Sequence, residues 1–292
     1  MRIVALDIGG TMIKTGLWNG EMLEEQRETE TRASEGGAAL MERMKELVHS
    51  YHDFDAIGIS TAGEVNTEDG SIFYANSNIP GYTGMPVKQI MEEEFHVPVA
   101  VENDVNAAAL GELRAGATVG CSNFLCLTYG TGVGGSIVMN GNVYPGASFS
   151  AGSFGGMVIH PEEKAGTDSL EGCYERCAST TGLVRRVKKV DASLDNGKKI
   201  FAAKDRPEIK EQIDAWIDDI CTGLVTLCCI FNPSKIILGG GVMAQEYVLS
   251  EVKRKVKVQI APGLRIVEIV PAKLANTAGL MGAVSLAEKL LA

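Results

Sequence analysis

Three glycine-rich turns, each predicted at the end of an apolar strand, are the segments of this sequence best suited to binding phosphate. The first is "DIGGTMIK", in which a carboxylate ends a strand and a glycine-rich turn follows. Its candidate binding residues are Asp7, Gly9, Gly10, Thr11 and Lys14. Glycine lets backbone N–H groups approach an anion without an obstructing side chain. An ordinary turn with a capping aspartate would have the same sequence, so alone this segment predicts only a candidate phosphate loop.

The second turn, "GTGVGG" at 130–135, matches the G-x-G-x-x-G spacing of dinucleotide-binding proteins. That fingerprint must open a helix and be followed about 20 residues later by an acidic residue. Here a strand is predicted to follow, so we exclude dinucleotide binding. Thr131 and Gly132 are interpreted as a second phosphate clamp facing the first. The third turn, "LGGGV" with Gly240 and Gly241, offers flexible backbone suited to lying against an adenosine.

The segment "VENDVNAAALGE" at 101–112 places three polar residues, Glu102, Asn103 and Asp104, between a strand and an alanine-rich helix. Capping of the helix by Asn103 or Asp104 is the ordinary structural explanation. Phosphoryl transfer to a hydroxyl needs a carboxylate that orients the hydroxyl and accepts its proton, and even a modest base suffices. With phosphate loops in the same chain, this segment is also a candidate for that base.

The first two turns belong to two segments that repeat at an offset of 121 residues. "ALDIGGTMIKTGLWNG" (5–20) and "CLTYGTGVGGSIVMNG" (126–141) each predict a strand, a glycine turn, a second strand and an Asn-Gly hairpin. Such a repeat indicates a duplicated domain, and the alternation of strands and helices elsewhere predicts an α/β fold. We expect two domains, 1–117 and 118–292, with the last helix packing back on the first domain as an alternative.

Composition excludes several classes of protein. A formal net charge of −10 without a lysine and arginine stripe argues against nucleic-acid binding. The longest apolar stretches fall short of the roughly 20 residues that span a bilayer, and the first residues lack the order of a signal peptide. We therefore expect a cytoplasmic protein without a membrane partner. Its seven cysteines are expected to be reduced thiols.

Taken together, the motifs resemble the ROK family of sugar kinases and related repressors, which have the actin-like ATPase (ribonuclease H-like) fold. The motifs that carry the resemblance are "DIGGTMIK", "STAGEVN", "VENDVNAAALGE", "YGTGVGG", "NPSKIILGGGV" and "AGLMGA". They follow one another from residue 2 to about 287. The resemblance implies an ATP- and Mg²⁺-dependent hexose kinase, a homodimer, with two similar domains around a nucleotide and sugar cleft.

The resemblance also implies roles for single residues. Asp104 would be the catalytic base, and Asp7 would lie near the metal ion and the phosphates. The residues of the three glycine turns would bind the nucleotide. The implied sugar-binding candidates are Asn103, Asn78, Gly63, Glu175 and Ser153.

The loop at 150–177 departs from the family pattern, which is A-G-E-x-G-H followed by C-x-C-G-x-x-G-C-x-E. Glutamate, histidine and the first two cysteines of the pattern are replaced by Ser153, Gly156, Gly166 and Asp168, in that order. Only Cys173 remains of the family's zinc ligands, and structural zinc needs about four. A site rebuilt from His160, Cys173, Cys177 and Asp168 has no spacing that we recognise. We predict no structural zinc.

The same loop bears on the substrate, because the family's glutamate and histidine hold a free sugar near its anomeric carbon. Ser153 and Gly156 leave room there, so we expect phosphorylation of the 6-hydroxyl of the glucosyl unit of a β-glucoside such as cellobiose. A free hexose or N-acetylmannosamine is the alternative within the enzyme class. A sugar-responsive regulator or sensor is the alternative from another class, but such regulators carry an N-terminal helix-turn-helix, whereas the first strand is predicted from Arg2.

Overall fold

The computed structural model describes residues 1–163 and 170–292, which form strands and helices in alternation. The strands are β1 (Ile3–Ile8), β2 (Met12–Trp18), β3 (Leu23–Glu30), β4 (Ala56–Thr61), β5 (Glu64–Asn66), β6 (Ser71–Tyr74), β7 (Val99–Asn103), β8 (Phe124–Tyr129), β9 (Val133–Met139), β10 (Asn142–Val143), β11 (Lys235–Gly239) and β12 (Glu268–Pro271). The α-helices are α1 (Gly37–His49), α2 (Val87–Phe95), α3 (Asp104–Ala115), α4 (Tyr174–Ala178), α5 (Thr180–Lys188), α6 (Gly197–Ala202), α7 (Pro207–Phe231), α8 (Glu246–Gln259) and α9 (Ala278–Glu288). The predicted α/β class is confirmed.

Two five-stranded sheets repeat the same strand order. The first runs β3-β2-β1-β4-β7 and the second β10-β9-β8-β11-β12. In the first sheet β1 is antiparallel to β2 and parallel to β4, which is parallel to β7. In the second, β11 is parallel to both β8 and β12. The bounds of β8 and β9 follow those of β1 and β2 by 121 residues, the offset of the sequence repeat.

The chain forms two compact units. The first comprises Met1–Ser122, Val138–Ala151 and Lys273–Ala292, and the second comprises Asn123–Ile137 and Gly152–Ala272. We refer to them as the first and the second unit. The predicted single boundary near residue 117 stays a prediction.

Strand β1 lies in the middle of the first unit and is buried on both faces. Val4, Leu6 and Ile8 belong to one apolar cluster, and Ile3 and Ala5 belong to another. The alternation follows from the period of two in a strand, and burial on both faces explains why the run is apolar throughout. Helices α1 and α2 cover the first face and α9 covers the second.

Helices α3 and α9 pack closely because glycines lie where they meet. A Cβ added at Gly282 would lie 1.8 Å from the carbonyl oxygen of Ala107, and one at Gly111 would lie 2.2 Å from that of Ala278. Any larger residue at either position would push the two helices apart. The glycines of "AALGE" and "AGLMGA" therefore fix the C-terminal helix on α3.

A buried carboxylate holds the segment that leads into α9. Glu112, near the end of α3, is 1% exposed. Its Oε2 accepts a hydrogen bond from the N–H of Ala117 at 2.6 Å. Its Oε1 accepts from the N–H groups of Lys273 and Leu274, both at 2.8 Å. Three backbone donors satisfy this acid and connect two segments that are about 160 residues apart in sequence.

The second unit is built around α7, which has proline at its first turn and a buried tryptophan near its middle. The indole N–H of Trp216 donates to the carbonyl oxygen of Ala178 at 2.9 Å.

Within the described ranges, no helix combines the length and the apolar composition needed to cross a membrane. Pro262–Leu264 forms a 3-10 turn, and β12 begins at Glu268 after it. Strands β5 and β6 pair antiparallel.

Candidate functional site

The carboxyl ends of three parallel strands bring predicted site residues of the first unit to one edge of its sheet. Asp7 on β1 pairs in register with Ser60 on β4, and Thr61 pairs with Asn103 on β7. Helix α3 then begins at Asp104. Ligands of α/β sheets commonly bind at this edge. The structure thus brings Asp7, Asn103 and Asp104 to the same edge.

Asp7 lies between a hydroxyl and an ammonium group. Ser60 Oγ donates to Asp7 Oδ1 at 2.8 Å. Lys14, opposite Asp7 in the β1–β2 register, places its Nζ 3.5 Å from Asp7 Oδ2. Lys14 Nζ also donates to the carbonyl oxygen of Asn276 at 3.1 Å. A carboxylate and an ammonium group therefore stand side by side next to the first glycine turn, and Ser60 is a neighbour of Asp7 that the motifs did not identify.

Threonine contacts fix the turn between β1 and β2. Thr31 N–H donates to the carbonyl oxygen of Thr11 at 2.8 Å, and Thr31 Oγ1 donates to that of Gly9 at 2.7 Å. Gly10 is exposed, and among the described residues no heavy atom lies within 4 Å of a Cβ added there. Packing therefore does not require glycine at residue 10, whereas a ligand that approaches the backbone would.

Asn103 is both a helix cap and a neighbour of the proposed base. Its Oδ1 accepts hydrogen bonds from the N–H groups of Val105 at 2.9 Å and Asn106 at 3.2 Å, which caps α3. Its Nδ2 donates to the carbonyl oxygen of Gly63 at 2.9 Å and to Asp104 Oδ1 at 3.0 Å. Because this amide is held at both ends, it fixes the orientation of the Asp104 carboxylate.

The surroundings of Asp104 change its acidity. Burial, followed by the negative charge of Asp7, raises the pKa of Asp104 to about 6. Hydrogen bonds from the Val105 N–H, at 2.8 Å, and from Asn103 oppose this rise. A carboxylate with a pKa close to neutrality is a stronger base than an ordinary aspartate and is still mostly ionised at pH 7. Its environment therefore suits general-base catalysis.

The other two predicted sugar-binding residues of the first unit differ in their contacts. Gly63 adopts φ of +97°, and its carbonyl oxygen accepts the bond from Asn103. Asn78 is exposed, and its N–H donates to Asn76 Oδ1 at 3.0 Å. Among the described residues, no hydrogen bond joins the Asn78 side chain to Asn103 or Asp104.

In the second unit, Glu175 lies against the second glycine turn. The N–H of Val133 donates to Glu175 Oε2 at 3.1 Å. A Cβ added at Gly132 would lie 2.1 Å from the same oxygen, so this position requires glycine for close approach. Glu175 thus lies next to the turn of Thr131 and Gly132.

A cavity of about 860 Å³ opens beside that turn. It is lined by Tyr129, Gly130, Thr131, Thr180, Thr181, Val184, Asp195, Asn196, Gly197, Lys198, Phe201, Gly241, Val242 and Gln245. Its volume and largely apolar wall suit a nucleoside. Gly240 has φ of +102°, and a Cβ there would lie 2.2 Å from the carbonyl oxygen of Tyr129, so only glycine fits this turn.

Sequence motifs identified only the glycine turns of this cavity, and with them Thr131 and Gly241. The side chains of Val184, Phe201 and Gln245 come from α5, from α6 and from the residue before α8. No short motif contains them, because they are brought together only by the packing of separate helices.

Comparison with known proteins identifies the family. The model of the ROK family matches residues 3–290. The chain belongs to the ROK family. It is 36% identical over 293 residues to a β-glucoside kinase of Listeria monocytogenes, covering 97% of this chain and 96% of that protein.

Two solved ROK structures superpose over nearly the whole chain. One is a candidate N-acetylmannosamine kinase from Listeria monocytogenes, with a TM-score of 0.90 and 31% identity over 100% of both chains. The other is a ROK glucokinase from Streptomyces griseus in complex with glucose and AMPPNP, with a TM-score of 0.82 and 30% identity, covering 99% of this chain and 100% of that one. The chain therefore has the actin-like ATPase fold and is an ATP-dependent carbohydrate kinase.

Two of the positions that differ from the ROK loop pattern lie on the surface of the second unit. Ser153 and Gly156 are exposed. Among the described residues no heavy atom lies within 4 Å of a Cβ added at Gly156, so no described residue fills the space next to this position. The other two, Gly166 and Asp168, lie outside the described residues.

His160 and Cys177 of this ROK loop lie close to an acid on α7. Ligand atoms of His160, Cys177 and Asp219 fall within 4.8 Å of one another. His160 Nε2 is 2.8 Å from Asp219 Oδ1, and Arg186 Nη2 is 2.5 Å from Asp219 Oδ2. The guanidinium group of Arg186 already neutralises the charge of the Asp219 carboxylate. Burial raises the pKa of the Cys177 thiol to about 11, which disfavours the thiolate that binds metals. The absence of structural zinc stays a prediction.

Proposed function

We propose that this ROK kinase transfers the γ-phosphoryl group of ATP to the 6-hydroxyl of the glucosyl unit of a β-glucoside such as cellobiose. The observation that carries the choice of substrate is the space at Gly156, which no described residue fills, together with the small side chain of Ser153. At these positions the family pattern has histidine and glutamate. The 36% identity to a β-glucoside kinase supports the same choice.

Asp104 is the proposed catalytic base. As the hydroxyl oxygen of the sugar bonds to the γ-phosphorus, the bond from that phosphorus to the bridging oxygen breaks and ADP leaves. The hydroxyl proton passes to the Asp104 carboxylate, and the pKa of about 6 makes that carboxylate a suitable acceptor. Asn103, with its amide held by Gly63 and by the start of α3, keeps the carboxylate oriented. Asn103, Gly63 and Asn78 are the proposed sugar-binding residues of the first unit, with Ser153 and Glu175 those of the second.

The nucleotide would be held by the glycine turns. The 860 Å³ cavity fits the adenosine, with Gly240 and Gly241 against it, while Thr131 and Gly132 offer backbone N–H groups to phosphate. In the first unit the proposed phosphate-binding residues are Gly9, Gly10, Thr11 and Lys14.

Carboxylate oxygens are the protein ligands that Mg²⁺ prefers, and Asp7, half-buried beside Lys14, offers them. Asp7 is therefore the residue proposed to hold Mg²⁺, directly or through water. When bound, Mg²⁺ neutralises charge on the phosphates during transfer.

A comparison of substrates tests the proposal. The value of kcat/KM for cellobiose should exceed that for glucose by at least about tenfold, which equals about 1.4 kcal/mol of transition-state binding. The double variant Ser153→Glu with Gly156→His should reduce or reverse this preference, because it fills the free space and adds a charge that the second sugar would bury unpaired.

A control variant carries the same two residue types at other exposed positions of the second unit, Ser250→Glu with Gly263→His, and should keep the wild-type preference. If the wild-type enzyme prefers glucose or N-acetylmannosamine, the β-glucoside assignment is wrong and the free-sugar alternative, which the glucokinase likeness favours, replaces it.

No phosphoryl transfer to any of these sugars would favour a sugar-responsive regulator or sensor instead. The homodimer and the cytoplasmic location stay predictions, and size-exclusion chromatography with light scattering would measure the former.

A further inference from the structure

Two aromatic rings form a contact at the surface of the first unit. The centroids of Phe73 and Phe149 are 5.6 Å apart, and their planes meet at 64°, an edge-to-face arrangement. Phe73 is 48% exposed, and Phe149 is half-buried. A single exposed aromatic residue needs no explanation. Two rings that come from segments 76 residues apart and meet at the surface need an explanation. We call Phe73 and Phe149 the aromatic pair.

The backbone of Phe149 is strained. Its φ of +60° lies in the left-handed region, which bulky L residues rarely adopt. Residues held in such conformations cluster at ligand-binding and catalytic sites. Burial does not account for the strain, because this ring is only half-buried. The fold therefore holds the Phe149 ring against Phe73 with a strained backbone at residue 149.

The strand that carries Phe73 lies next to the proposed sugar site. Asn103 Nδ2 links Asp104 Oδ1, at 3.0 Å, to the carbonyl oxygen of Gly63, at 2.9 Å. A Cβ added at Gly63 would lie 3.0 Å from the carbonyl oxygen of Tyr74, the neighbour of Phe73 on β6. A short series of contacts therefore connects the proposed base to β6.

Hydrogen bonds also fix the end of β6. Thr83 Oγ1 accepts from the N–H of Ala75 at 2.9 Å and lies 3.1 Å from its carbonyl oxygen, to which it donates. Ile72 N–H donates to the carbonyl oxygen of Met85 at 3.0 Å. The position of Phe73 relative to Gly63 is thus set by the fold and not by a free loop.

We propose that the aromatic pair is the subsite for the aglycone of the β-glucoside, either a β-linked second sugar or an aryl group. The proposal rests on the function proposed above and names the residues that would select such substrates. An aryl ring stacks on or meets the edge of phenylalanine, and a pyranose offers an apolar face of C–H groups to the same surface. A free hexose has no group that reaches this subsite, so the aromatic pair contributes only to glucosides.

The test compares phenyl β-glucoside with methyl β-glucoside, which share the glucosyl unit and differ in the aglycone. The ratio of their kcat/KM values does not depend on the fraction of enzyme that is folded. Phe73→Ala and Phe149→Ala should each lower this ratio about fivefold, in line with measured aromatic contacts. The value of kcat/KM for methyl β-glucoside should change by less than about twofold.

Two further variants serve as controls. Tyr74→Ala removes a ring that is 54% exposed, and successive side chains of a strand point to opposite faces, so the ratio should stay at the wild-type value. Phe149→Gly should lower the ratio as Phe149→Ala does. Its melting temperature should be higher than that of Phe149→Ala, because glycine adopts φ of +60° without strain.

The outcomes separate this proposal from the one on which it rests. If the wild-type enzyme uses both glucosides but the ratio is unchanged in the Phe73 and Phe149 variants, the aglycone subsite is wrong while the β-glucoside function stands. The subsite would also be overturned if the Phe73 and Phe149 variants lost kcat/KM equally with both glucosides. The same fall of the ratio in Tyr74→Ala would overturn it as well. If the wild-type enzyme phosphorylates only free sugars, both proposals fail.

Discussion

Replacing Asp104 with asparagine separates the chemical role of this residue from its effect on stability. Asparagine keeps the carbonyl oxygen that accepts the bonds from the Val105 N–H and from Asn103 Nδ2. It removes the group proposed to accept the proton. We therefore expect kcat to fall by at least about 100-fold while nucleotide binding is nearly unchanged.

The magnitude of the stability effect follows from the pKa. The pKa of Asp104 rises from 3.8 to about 6 on folding, mainly through burial, and about two units correspond to about 3 kcal/mol. Because the folded state binds the proton more tightly, ionisation costs stability, and this cost grows as the pH rises from about 4 to about 6. Asp104→Asn avoids the cost. It should therefore be more stable than the wild type by up to about 3 kcal/mol at pH 7.5 and equally stable near pH 4.

Three measurements check this reasoning. Coupled assays give kcat, and nucleotide binding is followed by calorimetry; thermal melts at pH 7.5 and pH 4 compare the variant with the wild type. The surface variant Asp205→Asn, whose wild-type side chain is 90% exposed, controls for the loss of one charge and should change none of these three properties. Near wild-type turnover would refute the base role. A melting temperature that falls at pH 7.5, or a gain that persists at pH 4, would refute the explanation of the pKa.

Three further predictions concern the second unit. Phe201→Ala should raise KM for ATP about tenfold and leave KM for the sugar unchanged in steady-state kinetics, because this ring lines the cavity; an equal rise in both would contradict the nucleoside assignment. The Asp219 carboxylate raises the pKa of His160, so their ion pair stabilises the fold below pH 6.5 and is lost as the pH rises through the raised value. The melting temperature of His160→Gln should therefore be lower than that of the wild type at pH 6 but not at pH 9. A difference that is independent of pH would show that His160 stabilises the fold by packing and not by the ion pair. Elemental analysis of chelator-washed protein should find less than about 0.2 zinc per chain, whereas stoichiometric zinc that disappears in His160→Gln would assign a metal to His160, Cys177 and Asp219.

The local sequence predicted the elements and the ends of the strands that carry the site. Runs of apolar residues, glycine turns and the Asn103 cap are local requirements of strands, turns and helix starts, so a few adjacent residues indicate them. The repeat of 121 residues predicted two similar halves, and the two sheets have the same strand order. Residues that lie at strand ends, such as Asp7 and Asp104, could therefore be placed from sequence.

Contacts between segments far apart in the chain were decided only by the tertiary structure. Ser60 bonds Asp7 across 53 residues, and Glu175 lies against Gly132, although no spacing relates either pair. The cavity is assembled from several helices, and the aromatic pair joins Phe73 to Phe149. The raised pKa of Asp104 depends on burial and on the charge of Asp7, which exist only once the chain has packed. Sequence determined which groups were available, and long-range packing determined which of them meet and how strongly they interact.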